Sequence, residues 1–279
     1  MSESFALGFQ LGSYRIDSVI GGGGSSVVFR AKHVRLGTAV AVKVVTPQSG
    51  DGPAAQERFL RDVHLAAELD HPNVIPIIDA DAHEDSLYVV MRYVPGGDLK
   101  TLLARAGALA PDRAAAVLAP VAGALDAAHA RGLVHGNVKP ANILLQRSGD
   151  GRLEHVYLTD FGMAGLAWPA SGVTQGARPA ERFDYTSPEQ VDGRDVTARA
   201  DVYSLGCVLY HAISGRVPFA EAFGDVVEAQ EAVDPPSSVR RELPPALDAP
   251  VLHAMARDPS RRYAACGELA RAFAAALEL

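Results

Sequence analysis

The pattern of apolar residues changes once along this chain, near residues 94–98. Before that point, apolar and polar residues alternate with the period of two typical of β-strands, as in 14–20, 27–33 and 38–45. After it, long alanine-rich and leucine-rich segments have the period of an α-helix. The sequence therefore predicts an α+β chain in which a small β-rich lobe precedes a larger, mainly helical lobe.

The individual segments give provisional boundaries for both lobes. We expect an N-terminal extension at 1–13, the small lobe at 14–93 with a hinge near 92–97, and the large lobe at 94–279. In addition to the three strands above, the predicted elements are strands at 73–83 and 86–94, a hairpin of 142–146 and 153–160, helices at 54–69, 112–132, 201–214 and 269–279, and a loop at 163–183. Pro120 marks a candidate kink in the helix at 112–132.

Charge and cysteine content restrict the class of protein. The formal net charge of −7 argues against non-specific binding to nucleic acid or to acidic lipid. Cys207 and Cys266 are the two cysteines, too few for a disulfide framework and in keeping with a reducing cytosol. The first residues lack the pattern of a signal peptide, and no apolar run reaches the roughly 18–20 residues of a membrane span. We therefore expect a cytoplasmic chain without a membrane segment.

A cluster of four glycines lies between the first two predicted strands, in the segment IGGGGSSVVF at 20–29. Glycines at such a turn let backbone N–H groups approach a phosphate closely, although they also suit a merely flexible hairpin. The cluster is not a dinucleotide-binding fingerprint, because no helix follows it, and it lacks the Gly-Lys-Ser/Thr of a P-loop. A phosphate-binding turn and a flexible hairpin both remain open at this point.

Lys43 lies at the centre of the apolar strand AVAVKVV. An ammonium in the middle of such a strand is costly unless it reaches solvent or finds a partner. A phosphate would serve as that partner, and so would a carboxylate of the following helix, for which Asp62 and Glu68 are the candidates.

A second polar cluster follows the helix at 112–132. LVHGNVKPANILL at 133–145 contains His135, Lys139 and Asn142, and TDFG follows at 159–162. Asn142 and Asp160 offer the oxygen ligands that Mg²⁺ prefers. An isolated Asp-Phe-Gly is common by chance, but it is specific when it follows Lys-Pro-x-Asn at this distance.

In this order the motifs resemble those of the protein-kinase domain, and most of all those of the bacterial Ser/Thr kinases of the eukaryotic-like type. The similarity extends from about Tyr14 to Leu277 and implies the bilobal protein-kinase fold, in which the small lobe carries helix C. The motifs are the glycines 21–24, AVKV with Lys43, HPNVIP at 71–76, MRYV at 91–94, HGNVKPAN at 135–142, DFG at 160–162, SPE at 187–189, DVYSLG at 201–206 and DPSRRY at 258–263.

The resemblance implies an ATP site in the cleft between the lobes. Lys43 would hold the α- and β-phosphates and pair with an acid on helix C, while backbone groups of Arg92 and Val94 would bind adenine. The implied nucleotide-binding residues are Ile20, Gly21, Gly22, Gly23, Gly24, Val28, Ala41, Lys43, Asp62, Met91, Arg92 and Val94.

The resemblance also assigns roles in the large lobe. Asn142 and Asp160 would hold Mg²⁺, and Lys139 would lie beside the γ-phosphate. Glu189 would pair with Arg262. HGNVKPAN at 135–142 would form the catalytic loop, and Asp201 would anchor its backbone.

The chain departs from the family pattern at three places. Asn137 stands where the family has the Asp that accepts the proton of the substrate hydroxyl, and an amide is not basic. Loss of a general base costs about 10² to 10⁴ in rate. Asp62 replaces a Glu on helix C and is one methylene shorter, and Glu181-Arg182 replaces a Gly-Thr pair that contacts substrate and catalytic residues. Together these departures predict a pseudokinase that acts as a scaffold or an allosteric signalling partner.

Other functions remain open. The main alternative is an active or weakly active Ser/Thr protein kinase, or an inactivated Asp-to-Asn variant of one. A small-molecule phosphotransferase is disfavoured because SPE and DVYSLG are typical of protein kinases. Because Gly136 provides no cation for a phosphorylated loop, a phosphate on Thr174 would recruit a phosphothreonine-binding domain. A homodimer formed through the small lobe is a further expected partner state.

Overall fold

The structure, a computed structural model, describes residues 5–23, 26–46, 53–84, 86–148, 152–162, 184–219 and 233–278. Gly24, Thr174, Glu181 and Arg182 and the predicted loop at 163–183 lie outside these ranges, so the predictions made for them have no structural counterpart. The described residues form the two lobes that the sequence predicts.

The small lobe is built on an antiparallel sheet of six strands in the order β1-β2-β3-β4-β6-β5. Its strands are β1 (Gln10–Leu11), β2 (Tyr14–Gly23), β3 (Ser26–His33), β4 (Ala39–Val45), β5 (Ile77–His83) and β6 (Ser86–Arg92). β2 continues through the first glycines of the cluster, and residues 21–23 pair with residues 26–28 of β3. The strand predicted from residue 73 begins only at Ile77, because the residues before it bond to the large lobe.

Each face of this sheet is covered by a different segment. Helix α1 (Pro53–Ala67) packs Phe59 and Val63 against the inner face, where they meet Ala41, Val89 and Met91. On the opposite face, the N-terminal residues Phe5 and Phe9 pack beside the cluster around Phe29 and Val42. The described part of the segment predicted as an extension thus contributes β1 and two aromatic rings to the small lobe.

The large lobe contains the helices α2 (Leu99–Ala106), α3 (Pro111–His129), α4 (Pro188–Val191), α5 (Ala198–Ser214), α6 (Pro236–Val239), α7 (Asp248–Ala254) and α8 (Cys266–Leu277), and a hairpin of β7 (Ile143–Arg147) and β8 (Leu153–Leu158). Helix α5 is buried along most of its length and forms the centre of the lobe. It begins three residues earlier than the sequence predicts because Thr197 caps the N–H of Arg199. Pro120 lies inside α3, which continues through it to His129.

A connection between the lobes is made by the loop at 71–76, between α1 and β5. The Leu158 N–H donates to the Asn73 carbonyl at 2.7 Å, and the Ile75 N–H donates to the Leu158 carbonyl at 3.0 Å. The Asn73 side chain donates to the Val156 carbonyl at 2.8 Å. The loop is therefore bonded to β8 of the large lobe, although it is continuous in sequence with the small lobe.

The predicted pair of Glu189 and Arg262 is confirmed and fixes α4 in the large lobe. The two side chains are 2% and 0% exposed, and the guanidinium binds both carboxylate oxygens at 2.7 and 2.8 Å. Its remaining donors bind the carbonyls of Ala256, Arg199 and Arg257. All five N–H donors of Arg262 are therefore satisfied, as burial of an arginine requires.

Among the residues that the structure describes, no helix has both the length and the apolar character needed to cross a bilayer. Cys207 and Cys266 are both unpaired and buried. Burial raises the pKa of each thiol, so both are held in the neutral form.

Candidate active site

Lys43 reaches from β4 across the cleft to the large lobe. Its side chain is 14% exposed, and its ammonium lies 2.5 Å from a carboxylate oxygen of Asp160. The ammonium is thus paired with the Asp of the DFG motif and does not extend into solvent. The suggestion of Glu68 is wrong, because that side chain is 62% exposed and bonds to His64. A pair between Lys43 and Asp62 stays a prediction.

Asp160 is held as an anion at the start of the segment after β8. Burial by itself would raise the pKa of this carboxyl, but the charge and hydrogen bond of Lys43, with Lys139 nearby, bring the pKa below its ordinary value. Its backbone is also unusual for a non-glycine residue, with a φ of 73°. Such a conformation persists only when the surroundings fix it, and here it is fixed beside a buried lysine.

Gly162 brings the DFG segment into close contact with α1. Its φ is +76°, and a Cβ atom there would lie 2.6 Å from the backbone carbonyl of Asp62 and 2.8 Å from the N of Val63. Only glycine allows this approach without displacing the helix. The DFG segment therefore positions α1 through backbone contact at Asp62.

Asp201 of α5 binds the backbone of the catalytic loop, as the resemblance implies. Its carboxylate accepts from the backbone N–H groups of His135 and Gly136, both at 2.8 Å, and lies 2.7 Å from Nε2 of His129. Asp201 is fully buried. The predicted anchoring of the loop backbone by Asp201 is confirmed.

His135 is a neutral imidazole whose two ring nitrogens are both used. Burial lowers the pKa of His135 despite the nearby Asp201. Nε2 lies 2.9 Å from the Thr159 carbonyl, and Nδ1 accepts from the Asn137 N–H at 3.2 Å. A neutral ring protonated on Nε2 satisfies both contacts. The ring also packs edge-on against Phe161, so the loop and the DFG segment are held together.

Asn137 has a fixed backbone and an uncommitted side chain. Its carbonyl accepts from Nδ2 of Asn142 at 2.8 Å. The side-chain amide of Asn137 is partly exposed and has no hydrogen bond to the residues that the structure describes. The group at this position is thus free to face a substrate, but it has no basic lone pair with which to take a proton.

The residues predicted to surround adenine lie together on the inner face of the sheet, the face that α1 covers. Ala41 pairs with Met91 in the β4–β6 ladder, and Val28 pairs with Lys43 in the β3–β4 ladder. The N–H of Arg92 donates to the Pro76 carbonyl at 3.0 Å, and binding of adenine by the backbone of Arg92 stays a prediction. Val94 is partly buried at the inner cluster that contains Met91.

The described part of the glycine-rich segment belongs to β2, which lies beside β3. Gly21, Gly22 and Gly23 belong to β2 and pair with Val28, Val27 and Ser26 respectively, while Ile20 is 45% exposed. The described glycines and Lys43 therefore lie in one sheet, on β2 and β4, with β3 between them.

The residues present fit a metal-bound triphosphate. Because Nδ2 of Asn142 is committed to the loop, its Oδ1 is the end left for a cation, and Asp160 supplies an anionic carboxylate. The two lie close together, since the Thr159 N–H donates to the Asn142 carbonyl at 3.0 Å. Lys43 and Lys139 supply positive charge near Asp160. This donor set matches the chemistry of Mg²⁺ and phosphate.

The sequence analysis did not identify Gln190, which bonds to the catalytic loop. Its Nε2 donates to the Gly136 carbonyl at 2.7 Å, and its Oε1 accepts from Ser187. The spacing Ser-x-x-Gln at 187–190 is that of a helix capping box and could have drawn attention to it. The contact with Gly136 had no signal in the sequence.

Comparisons with known proteins agree with this arrangement. The sequence model of the family described as protein kinase domain matches residues 14–272. The chain is 38% identical over 274 residues to the serine/threonine-protein kinase PknH of Mycobacterium bovis, covering 97% of this chain and 45% of PknH. It is 37% identical over 282 residues to PknJ of the same organism, covering 99% of this chain and 47% of PknJ. The chain thus spans less than half the length of these relatives.

Among solved structures, the kinase domain of Mycobacterium tuberculosis PknI is similar over nearly the whole chain. The TM-score is 0.79 at 28% identity, and the match covers 98% of this chain and 99% of that domain. The similarity in sequence and in structure therefore extends over both lobes.

Proposed function

This chain belongs to the protein kinase family, whose sequence model covers residues 14–272, and on that premise we propose that it is a pseudokinase. The domain is of the serine/threonine-kinase type. In this proposal it binds ATP with Mg²⁺, transfers the γ-phosphate poorly, and acts as a scaffold or an allosteric partner of another signalling protein. A small-molecule phosphotransferase is not proposed.

The observation that carries the proposal is Asn137. Its N–H and its carbonyl are bonded to His135 and Asn142, so the residue occupies a fixed position in the catalytic loop. An amide there cannot accept the proton of an incoming hydroxyl, which corresponds to a loss of about 10² to 10⁴ in rate. Because the rest of phosphoryl transfer depends on positioning and charge, a low residual activity is compatible with the proposal.

Retained nucleotide binding is supported by the cleft. Lys43 and Lys139 would bind phosphate oxygens, and Asn142 and Asp160 would hold Mg²⁺. Bound Mg²⁺ would neutralise charge on the triphosphate. The predicted adenine contacts are made by the backbone of Arg92 and Val94, with Val28, Ala41 and Met91 around the ring. Because the Arg92 N–H is bonded to Pro76, the Arg92 carbonyl is the group proposed to accept from adenine.

A radiolabelled ATP assay on the chain as written, beside its Asn137→Asp and Lys43→Met variants, tests the proposal. In a parallel thermal-shift titration, we expect ATP and Mg²⁺ to stabilise the chain as written and the Asn137→Asp variant, but not the Lys43→Met variant. We expect phosphorylation by the unaltered chain to be absent or only slightly above the level of the Lys43→Met control. Robust phosphorylation by the unaltered chain would overturn the proposal.

The Asn137→Asp variant separates the origins of the impairment. If Asp62 and Glu181-Arg182 also contribute, the variant gains little activity. A gain of about 10² or more would instead make Asn137 the sole defect and favour an inactivated form of an active kinase.

The second candidate function is an active or weakly active Ser/Thr protein kinase. It is supported by the 38% identity to PknH, a serine/threonine-protein kinase, and by the metal- and phosphate-binding residues described above. The same assay distinguishes it, because it requires transfer to a protein Ser or Thr by the chain as written.

We further propose protein partners and a cytoplasmic location. The unpaired Cys207 and Cys266 support a reducing compartment. A homodimer formed through the small lobe stays a proposal. Phosphorylation of Thr174 with recruitment of a phosphothreonine-binding domain stays a prediction, to be checked by mass spectrometry after incubation with an active kinase.

A further inference from the structure

Gln190 lies in α4, directly after the activation segment, which extends from DFG at 160–162 to SPE at 187–189, and its side chain is buried. The residue is 7% exposed. Its neighbour Glu189 is bonded to Arg262 inside the large lobe, whereas Gln190 is bonded to the catalytic loop. Two consecutive residues of one short helix thus connect it to two different parts of the lobe.

The orientation of the Gln190 amide follows from its partners. The Gly136 carbonyl can only accept, so the atom 2.7 Å from it is Nε2. The backbone N–H of Ser187 can only donate, so the atom 3.2 Å from it is Oε1, which the Ser187 hydroxyl also approaches at 2.9 Å. No other orientation satisfies both main-chain groups.

The peptide bond that Gln190 contacts is the one between Gly136 and Asn137. The N–H of this peptide unit, that of Asn137, donates to Nδ1 of His135, and the N–H of the preceding unit, that of Gly136, donates to Asp201. The bond from Gln190 to the Gly136 carbonyl completes the polar partners of this peptide unit. It is the one contact of the three that comes from outside the catalytic loop and its supporting helix α5.

Gly136 has a φ of 65° and no side chain. No cation at this position can therefore couple the loop to the activation segment, whereas the bond from Gln190 reaches the loop backbone directly. We propose that Gln190 is a positioning residue that sets the placement of residue 137 by holding the Gly136 carbonyl. In this way the end of the activation segment is linked directly to the position of Asn137.

The chain allows this peptide to be observed alone. Its asparagines are Asn73, Asn137 and Asn142, and only Asn137 follows a glycine. Protein labelled with glycine carrying ¹³C at the carbonyl and with ¹⁵N-asparagine therefore gives a single peptide resonance in a carbonyl-to-amide correlation experiment. That resonance reports both the Gly136 carbonyl shift and the exchange rate of the Asn137 amide.

We expect Gln190→Met, which keeps the length but removes both polar atoms, to shift the carbonyl resonance and to speed exchange of the Asn137 amide by roughly tenfold. Gln190→Glu keeps the acceptor for Ser187 but lacks the donor, so it should shift the resonance similarly. The matched control is Ser187→Ala, which removes the hydroxyl contact with Oε1 and leaves the Gly136 contact in place. This control should leave the resonance unchanged.

An unchanged resonance in a folded Gln190→Glu or Gln190→Met protein would overturn the proposal. So would an equal change in Ser187→Ala, because the effect would then come from the helix cap. The Glu variant covers the case in which the Met variant does not fold.

A kinetic measurement extends the test and rests on the proposed function. In an Asn137→Asp protein that has gained activity, Gln190→Met should lower kcat by about tenfold while the KM for ATP stays unchanged. A parallel rise in KM would contradict a positioning role. If Asn137→Asp gains no activity, the resonance measurement still decides the role of Gln190, so the two failures are distinguishable.

Discussion

The Lys43 ammonium and the Asp160 carboxylate lie 2.5 Å apart and join a strand of the small lobe to the DFG segment of the large lobe. Both side chains are largely buried, so each relies on the other for compensation of its charge. This pair lies where the phosphates and the metal of ATP are proposed to bind.

Replacing Lys43 by Met should destabilise the protein by about 2–4 kcal/mol, because Asp160 is left buried without its cation. The double variant Lys43→Met/Asp160→Asn should lose less than the single variant, since no buried charge remains. Urea unfolding of the single and double variants measures the difference. A single variant within about 0.5 kcal/mol of the parent would show that the pair contributes little.

Replacing Arg262 by Lys should cost about 3 kcal/mol or more, because an ammonium cannot reproduce five donors in a planar fork around Glu189. The matched control is Arg194→Lys. Arg194 is 53% exposed and pairs with Asp192 at the surface, so its replacement should cost less than about 1 kcal/mol. Equal losses in chemical denaturation would contradict a special role for the buried pair.

Gly162→Ala should destabilise the protein more than Gly193→Ala, by about 1–3 kcal/mol. Both glycines have positive φ, at 76° and 67°, so the backbone strain of an alanine is similar in the two variants. Only at Gly162 would the added Cβ meet the backbone of α1, whereas nothing lies within 4 Å at Gly193. Thermal unfolding compares the variants, and equal effects would argue against close packing of the DFG segment on α1.

Stability should fall as the pH is lowered through the range below about 6.5. Burial lowers the pKa of His135 in the folded protein, so between that value and the ordinary value near 6.5 the unfolded chain binds more protons. The free energy of unfolding therefore decreases as the pH falls, by at most about 1.4 kcal/mol per pH unit for one group.

The measurement is urea unfolding at several pH values between 8 and 5.5. His135→Gln should flatten the slope, while a reduced slope should remain because burial also lowers the pKa values of His71 and His211. An unchanged slope in His135→Gln would exclude His135 as the source.

Local patterns predicted the elements well, whereas contacts between distant residues were predicted only where a family resemblance supplied them. Alternation and helical period gave β2 to β8 and the helices α1, α3, α5 and α8 to within a few residues, whereas β1 and the shorter helices α2, α4, α6 and α7 were not predicted. The pairs of Glu189 with Arg262 and of Asp201 with the loop backbone came from the resemblance, and the structure confirms both.

The partner of Lys43 shows why the rest could not be predicted. Several carboxylates follow the strand, and periodicity does not say which of them the fold brings near. The structure selects Asp160, 117 residues further along, and leaves Glu68 in solvent. The bond from Gln190 to Gly136 is similar, because it joins a side chain to a backbone carbonyl that any sequence would provide.

The hydrogen bonds between the loop at 71–76 and β8 restrict how the two lobes can separate. Asn73 and Ile75 form a short extension beside Leu158, so that side of the cleft cannot widen without breaking main-chain bonds. The loop therefore acts as a hinge, about which the small lobe rotates when the cleft opens. The cleft then opens most towards the end of the sheet that is opposite to β5, where β2 carries its glycines. A nucleotide would enter and leave the cleft there.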